Sequence, residues 1–143
     1  MNTYVKIALG FVVFIALAGI LAALYMFNLK HTDMAKARPD FTITSTVLQK
    51  AFEDNETAAS KLYINKILEV TGKIASVKPP AENKFISISL ITGSDLSSVI
   101  CTFPAISDPS KLSVGEEITL RGECSGFLMD VLLNNCAIIQ NKK

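Results

Sequence analysis

Cys101, Cys124 and Cys136 are the side chains best suited to covalent chemistry in this 143-residue chain, and their spacing limits what they can do. They stand 23 and 12 residues apart, so the C-x-x-C spacing of thiol exchangers and zinc knuckles is missing. An odd count leaves two readings open: one bridge plus a buried thiol in an oxidising compartment, or three small buried apolar residues. A thiol-dependent enzyme acting through Cys101 or Cys124 would require a lowered thiol pKa. The lone histidine, His31, lies in a polar stretch between the apolar N-terminus and the remainder, where a solvated linker residue is the plainer reading than a pH sensor. The absence of any histidine beyond it removes Ser-His-Asp and Cys-His catalysis and every histidine-based metal site. Neither Gly-x-x-x-x-Gly-Lys nor G-x-G-x-x-G occurs. The carboxylates Glu53, Asp54 and Glu56, and the pair Glu116-Glu117, would serve acid–base or calcium chemistry only if they converged in a dry cleft. The sequence thus predicts no catalytic residue, no metal and no cofactor.

What remains is recognition. Residues 39–143 hold 10 Lys and Arg against 12 Asp and Glu, a mildly acidic balance of −2 within a chain of net charge +1. Binding to many phosphates needs a concentrated basic face, and single-stranded nucleic acid also needs aromatic platforms for its bases. The lysines are scattered, and Phe85, Phe103 and Phe127 suit core or loop-anchoring positions better than base stacking, so nucleic acid is an unlikely partner. The candidates for a ligand face are the outward polar side chains Lys73, Ser87, Ser89 and Arg121, with Asp130 beside a hairpin, where it would orient a ligand or stabilise the turn.

The elements that must position these residues follow from periodicity. After a short extended piece, 41–44, Thr46-x-x-Gln49 has capping-box spacing, and Val47, Leu48, Ala51 and Phe52 form one helical stripe. Asn55 and Glu56 open a second short helix with Ala58, Ala59, Leu62 and Tyr63. From Lys66 the period changes to two. Leu68, Val70, Gly72 and Ile74 alternate with polar residues; so do Ile86, Ile88 and Leu90, then Val99, Cys101 and Phe103, then Ile118, Leu120, Gly122 and Cys124. A possible helical turn at 110–112 interrupts the loop before the fourth of these. The last strand, 131–139, breaks parity between Leu133 and Cys136, which a bulge near Asn134-Asn135 would reconcile. Five short strands with inward glycines predict a closed, tightly coiled barrel preceded by one or two short helices.

Residues 7–27 contain only Gly10 and Gly19 outside the apolar class, and this run carries most of the mean hydropathy of +0.38. As a helix it would measure roughly 31 Å, enough to cross the hydrocarbon core and longer than a signal peptide's apolar region. The expected organisation is a tail at 1–6, a transmembrane helix at 7–27, a linker at 28–40 and a domain at 41–140. Lysine counts, with Lys6 facing Lys30, Lys36 and Arg38, would place the domain in the cytoplasm, whereas a short N-terminal tail before a leading helix favours export.

The stretch 48–139 carries Ala51-Phe52-Glu53, Lys66-Ile67-Leu68-Glu69-Val70-Thr71-Gly72-Lys73, Leu112-Ser113-Val114-Gly115-Glu116 and Arg121-Gly122-Glu123-Cys124-Ser125-Gly126. In these motifs it resembles the tRNA-anticodon-like OB-fold family of membrane-anchored bacterial proteins. The resemblance implies a five-stranded OB barrel and a domain on the outer side of the cytoplasmic membrane. It implies no specific activity, because the family name records a fold analogy. The expected role is a noncatalytic binding module of the bacterial cell envelope with an unidentified ligand or protein partner; single-stranded nucleic acid binding and a thiol-dependent enzyme are the alternatives.

Overall fold

The structure is a computed structural model that describes residues 2–27, 33–79, 85–104 and 111–142. The chain divides into two compact units, one ending at Thr32 and one beginning at Asp33. The first contains α1 (Thr3–Phe27), 25 residues with no buried side chain and no charged residue after Lys6. Its length and composition would let it cross a membrane. His31 lies outside the described residues.

The second unit is a closed barrel. Its strands are β2 (Ile67–Lys78), β3 (Ile86–Ile91), β4 (Ser98–Phe103), β5 (Glu117–Leu128) and β6 (Asp130–Lys142), hydrogen-bonded in the order β2-β3-β4-β6-β5 and closed by antiparallel pairing of β2 with β5. The β4–β6 pair is parallel and the other barrel pairs are antiparallel. This is the OB strand order and agrees with the resemblance. The expected inward residues Leu68, Val70, Ile74, Ile88, Leu90, Val99, Leu120 and Leu133 are all fully buried and share one core. The bulge expected in the last strand is present: Arg121 pairs with Ala137 and Glu123 with Asn134, so Asn135 and Cys136 together oppose Gly122, one extra residue on β6, and Asn135 takes a left-handed φ of 52°. That extra backbone turns Cys136 inward after Leu133. Of the helical turn expected at 110–112, residue 110 lies outside the described residues and Lys111 takes a 3-10 turn conformation.

A sixth strand, β1 (Phe41–Thr44), runs parallel to the first half of β2, from Phe41 opposite Leu68 to Thr44 opposite Thr71. It occupies β2 ahead of the β3 pairing, which starts at Ile74, and so covers backbone that the coiled strand would otherwise expose. Two helices follow, α2 (Ser45–Asp54) and α3 (Glu56–Tyr63). The cap of α2 differs from the expected one. Thr44, not Thr46, accepts from the Val47 amide, and Gln49 does not reach back to the helix start but is buried and donates to the Met129 carbonyl. Of the expected stripes, Leu48, Phe52 and Ala59 are buried, while Val47, Ala58 and Leu62 face solvent. Asn55 caps α3 as expected, accepting from Ala58.

Residues 33–40 do not behave as a free linker. Met34 is buried, Asp40 exchanges hydrogen bonds with Ile67 through its amide and its carboxylate, and Arg121 holds the carbonyls of Ala35 and Ala37. The barrel unit therefore starts eight residues before the position that alternation marks.

Candidate functional site

One end of the barrel gathers the features that could engage a partner. There α2 covers the core with Leu48 and Phe52, and the β3–β4 and β5–β6 hairpins meet its polar side. Gln49 Nε2 donates to Met129 O at 2.9 Å and to Glu53 Oε1 at 3.1 Å, and Ser97 Oγ donates to the same Glu53 oxygen at 2.9 Å. Both Gln49 amide protons are thus used, which fixes the orientation of the amide. Its buried Oε1 has no partner among the described residues. Thr92 Oγ1 donates to Ser97 O and closes the β3–β4 loop on itself.

The β5–β6 turn is tight, with Leu128 paired to Asp130 and Met129 alone at the tip. Met129 has φ 68°, a left-handed conformation that glycine or asparagine adopts more readily. Beside it Phe127 stacks on Phe52 at 5.2 Å between ring centroids, which anchors the hairpin to α2. Three clefts surround this end: one of about 570 Å³ lined by Glu56, Phe127, Leu128 and Met129, one of about 430 Å³ that includes Ile91, Asp95, Leu96, Ser98 and Asp130, and one of about 240 Å³ that includes Gln49, Glu53 and Thr92.

The residues proposed from sequence as a ligand face are not brought together. Ser87 and Ser89 lie on the outer side of β3, opposite Thr102 and Ile100 of β4. Lys73 lies exposed on the outer side of β2, in register with Glu117 of β5. Arg121 lies four pairs further along that ladder, opposite Glu69, where Nε and Nη2 both contact Glu69 Oε2 at 2.8 Å and Nη1 holds the carbonyls of Ala35 and Ala37. All three nitrogens are occupied by the chain itself. Asp130 ties the start of β6 to the start of β4: its Oδ1 accepts from the Ser98 amide at 2.6 Å and from the Ser98 hydroxyl at 2.9 Å. Of the three phenylalanines, Phe103 is in the core, Phe127 stacks on Phe52 and Phe85 is exposed. The sequence reading overlooked Leu96, Leu128 and Met129, assigned Gln49 to a helix cap, and considered Glu53 only within a carboxylate cluster. The available signal was the turn at Leu128-Met129, which carries two large apolar residues where glycine or asparagine would ease the backbone.

Against known proteins, the tRNA_anti-like family matches residues 1–138, nearly the whole length. The chain belongs to the tRNA_anti-like family. Among solved structures, this tRNA_anti-like chain is similar to a candidate nucleic acid-binding lipoprotein of Klebsiella pneumoniae, with 18% identity and a TM-score of 0.55 over 68% of this chain and 91% of that one. It also aligns with a candidate aspartyl-tRNA synthetase of Leishmania major at 8% identity and a TM-score of 0.44, covering 88% of this chain and 27% of that one. No curated protein matches. The Klebsiella likeness supports the fold.

The cysteines of the tRNA_anti-like barrel are three free, buried thiols. Cys136 Sγ fills the space above Gly122 and lies 3.4 Å from Leu133 O, and Leu133 is the residue that β4 pairs with Cys101. Burial pushes the Cys101 thiol well above its ordinary pKa, and the neighbouring Cys136 thiol adds to the rise. Burial likewise raises Cys124, to about 11, against a smaller opposing effect of the Gly126 backbone. Thiolate is the reactive form, so neither group is activated as a nucleophile. The native protein should leave Cys101 and Cys124 unlabelled by a thiol-specific disulfide reagent at pH 8, and unfolding in guanidinium should release all three. Rapid labelling of either residue in the folded protein would contradict this placement.

Proposed function

We propose that this tRNA_anti-like chain is a noncatalytic binding module of the bacterial cell envelope, anchored by α1 with its barrel on the outer side of the cytoplasmic membrane. The observation that carries the reading is the pairing of an apolar 25-residue helix, none of whose side chains is buried, with a separate barrel whose interior is filled by its own side chains. Support for export comes from the lipoprotein description of the Klebsiella protein. Support for a noncatalytic role comes from a domain without histidine and from Cys101 and Cys124 thiols whose pKa values move away from reactivity. Purified full-length protein in lipid nanodiscs should give no turnover in broad hydrolase and thiol-redox screens. Turnover that disappears with a single side-chain substitution would make the protein an enzyme.

A second reading, binding of single-stranded nucleic acid, is favoured by the description of the Klebsiella protein. The outer face of β3 and β4 presents Ser87, Ser89, Ile100 and Thr102, which offer neither a stacking ring nor a positive charge. A mobility assay with short oligonucleotides decides between the two readings. Micromolar, salt-sensitive binding would establish the second.

A further inference from the structure

Leu96, Leu128 and Met129 are 84, 79 and 70% exposed, and all three sit on hairpin tips at the α2 end of the barrel, beside the half-exposed Ile91. Large apolar side chains gathered at one end of a small domain mark an interaction surface more often than a solvated one. Met129 adds a backbone argument: its left-handed φ costs on the order of 1 kcal/mol, which a glycine would relieve while removing the exposed side chain.

The charge around these tips selects the partner. The three clefts at this end are lined by Glu53, Glu56, Asp95 and Asp130 against one lysine, Lys50, and Lys50 is already paired with Asp54 at 3.1 Å. Gln49, only 1% exposed, lines the cleft beside Glu53 and has an acceptor oxygen with no partner among the described residues, so that cleft suits a hydrogen-bond donor. An anionic lipid surface would be repelled by this rim, whereas apolar side chains flanked by ammonium or guanidinium groups match both features.

Resting on the binding-module reading above, we propose that the tip surface of Leu96, Leu128 and Met129 docks a basic, amphipathic segment of a partner protein. Apolar side chains of that segment lie against the tips, and its Lys or Arg heads meet Glu56, Asp95 and the Gln49–Glu53 cleft.

The test uses the full chain in zwitterionic nanodiscs and three fluorescent peptides that share one amphipathic leucine pattern and carry Lys, Gln or Glu at the polar positions. With empty nanodiscs as the blank, the Lys peptide should bind with micromolar affinity, at least tenfold tighter than the Glu peptide, and should weaken as salt rises. Leu128→Ser combined with Met129→Ser should weaken it about tenfold, and Glu56→Gln combined with Asp95→Asn should flatten its salt dependence. These positions are exposed, so hydrogen exchange of the core verifies that the variants fold. Equal binding of the Lys and Glu peptides, or no peptide binding at all, would overturn the proposal. Lys-peptide binding untouched by the tip variants would also overturn it while leaving the module reading intact, with the surface elsewhere. Protection of residues 127–130 by the nanodisc alone would assign the tip to lipid instead. The module reading itself fails separately, through substrate turnover.

Discussion

Replacing Gly122 with valine is expected to destabilise the barrel by more than about 3 kcal/mol, beyond the usual range for overpacking a core and a large share of the stability of a domain this size. The cause is local and crowded. Gly122 lies on β5 opposite the β6 bulge, and a Cβ there would stand 2.5 Å from Cys136 Sγ, 3.2 Å from the Asn134 carbonyl and 3.3 Å from Leu133 Cβ. Two of these neighbours cannot yield cheaply, because one is backbone and the other is fixed in the core. Gly122→Ala should cost about 1–3 kcal/mol for the same reason. Because the closest contact is a thiol, Cys136→Ala in the Gly122→Ala background should recover part of that loss. Urea unfolding of the two single variants and the double gives the coupling. Additive behaviour, or a Gly122→Val midpoint equal to wild type, would mean that the bulge does not press on β5 as described.

The second large effect is at Arg121. Its guanidinium and the Glu69 carboxylate are only 16 and 21% exposed, and the same guanidinium ties two carbonyls of the segment that precedes β1. Removing one partner of a mostly buried ion pair strands the other, so Arg121→Met should cost about 3 kcal/mol. Residues 33–37 should also become susceptible to protease while the barrel remains folded. The double variant Arg121→Met with Glu69→Leu should regain most of the stability, since no charge is then left unpaired, but should not restore the carbonyl contacts. Protease resistance of residues 33–37 in the single variant would show that the buried Met34 holds the segment without the arginine.

These two sites show where sequence reasoning reaches and where it stops. Alternation exposed the barrel strands because each has one wet and one dry face, and the parity break at Asn134-Asn135 exposed the bulge for the same reason. Gly122 could be placed inward, but its crowding depends on a strand that comes after it in the chain. Arg121 reads from sequence as an outward cation. That it is consumed by Glu69, 52 residues earlier, and by carbonyls more than 80 residues earlier, is a tertiary fact. Local rules also compete: Thr44 and Thr46 both precede a helical stripe, and Thr44 caps because β1 pairing fixes where the chain turns. Gln49 fits a capping box by spacing, yet the Met129 carbonyl on a distant hairpin takes its amide. The docking of residues 33–40 left no periodic trace, since it rests on one methionine, the Asp40 carboxylate and backbone groups.

Membrane fractionation combined with protease treatment of intact spheroplasts tests both halves of the proposed arrangement together, α1 as the membrane anchor and the barrel outside. The full-length chain should stay in the pellet through an alkaline carbonate wash, and protease added to unbroken spheroplasts should digest the barrel; a chain truncated before Asp33 should be soluble. Recovery of the full-length protein in the soluble fraction, or a barrel attacked only after the spheroplasts are lysed, would contradict it.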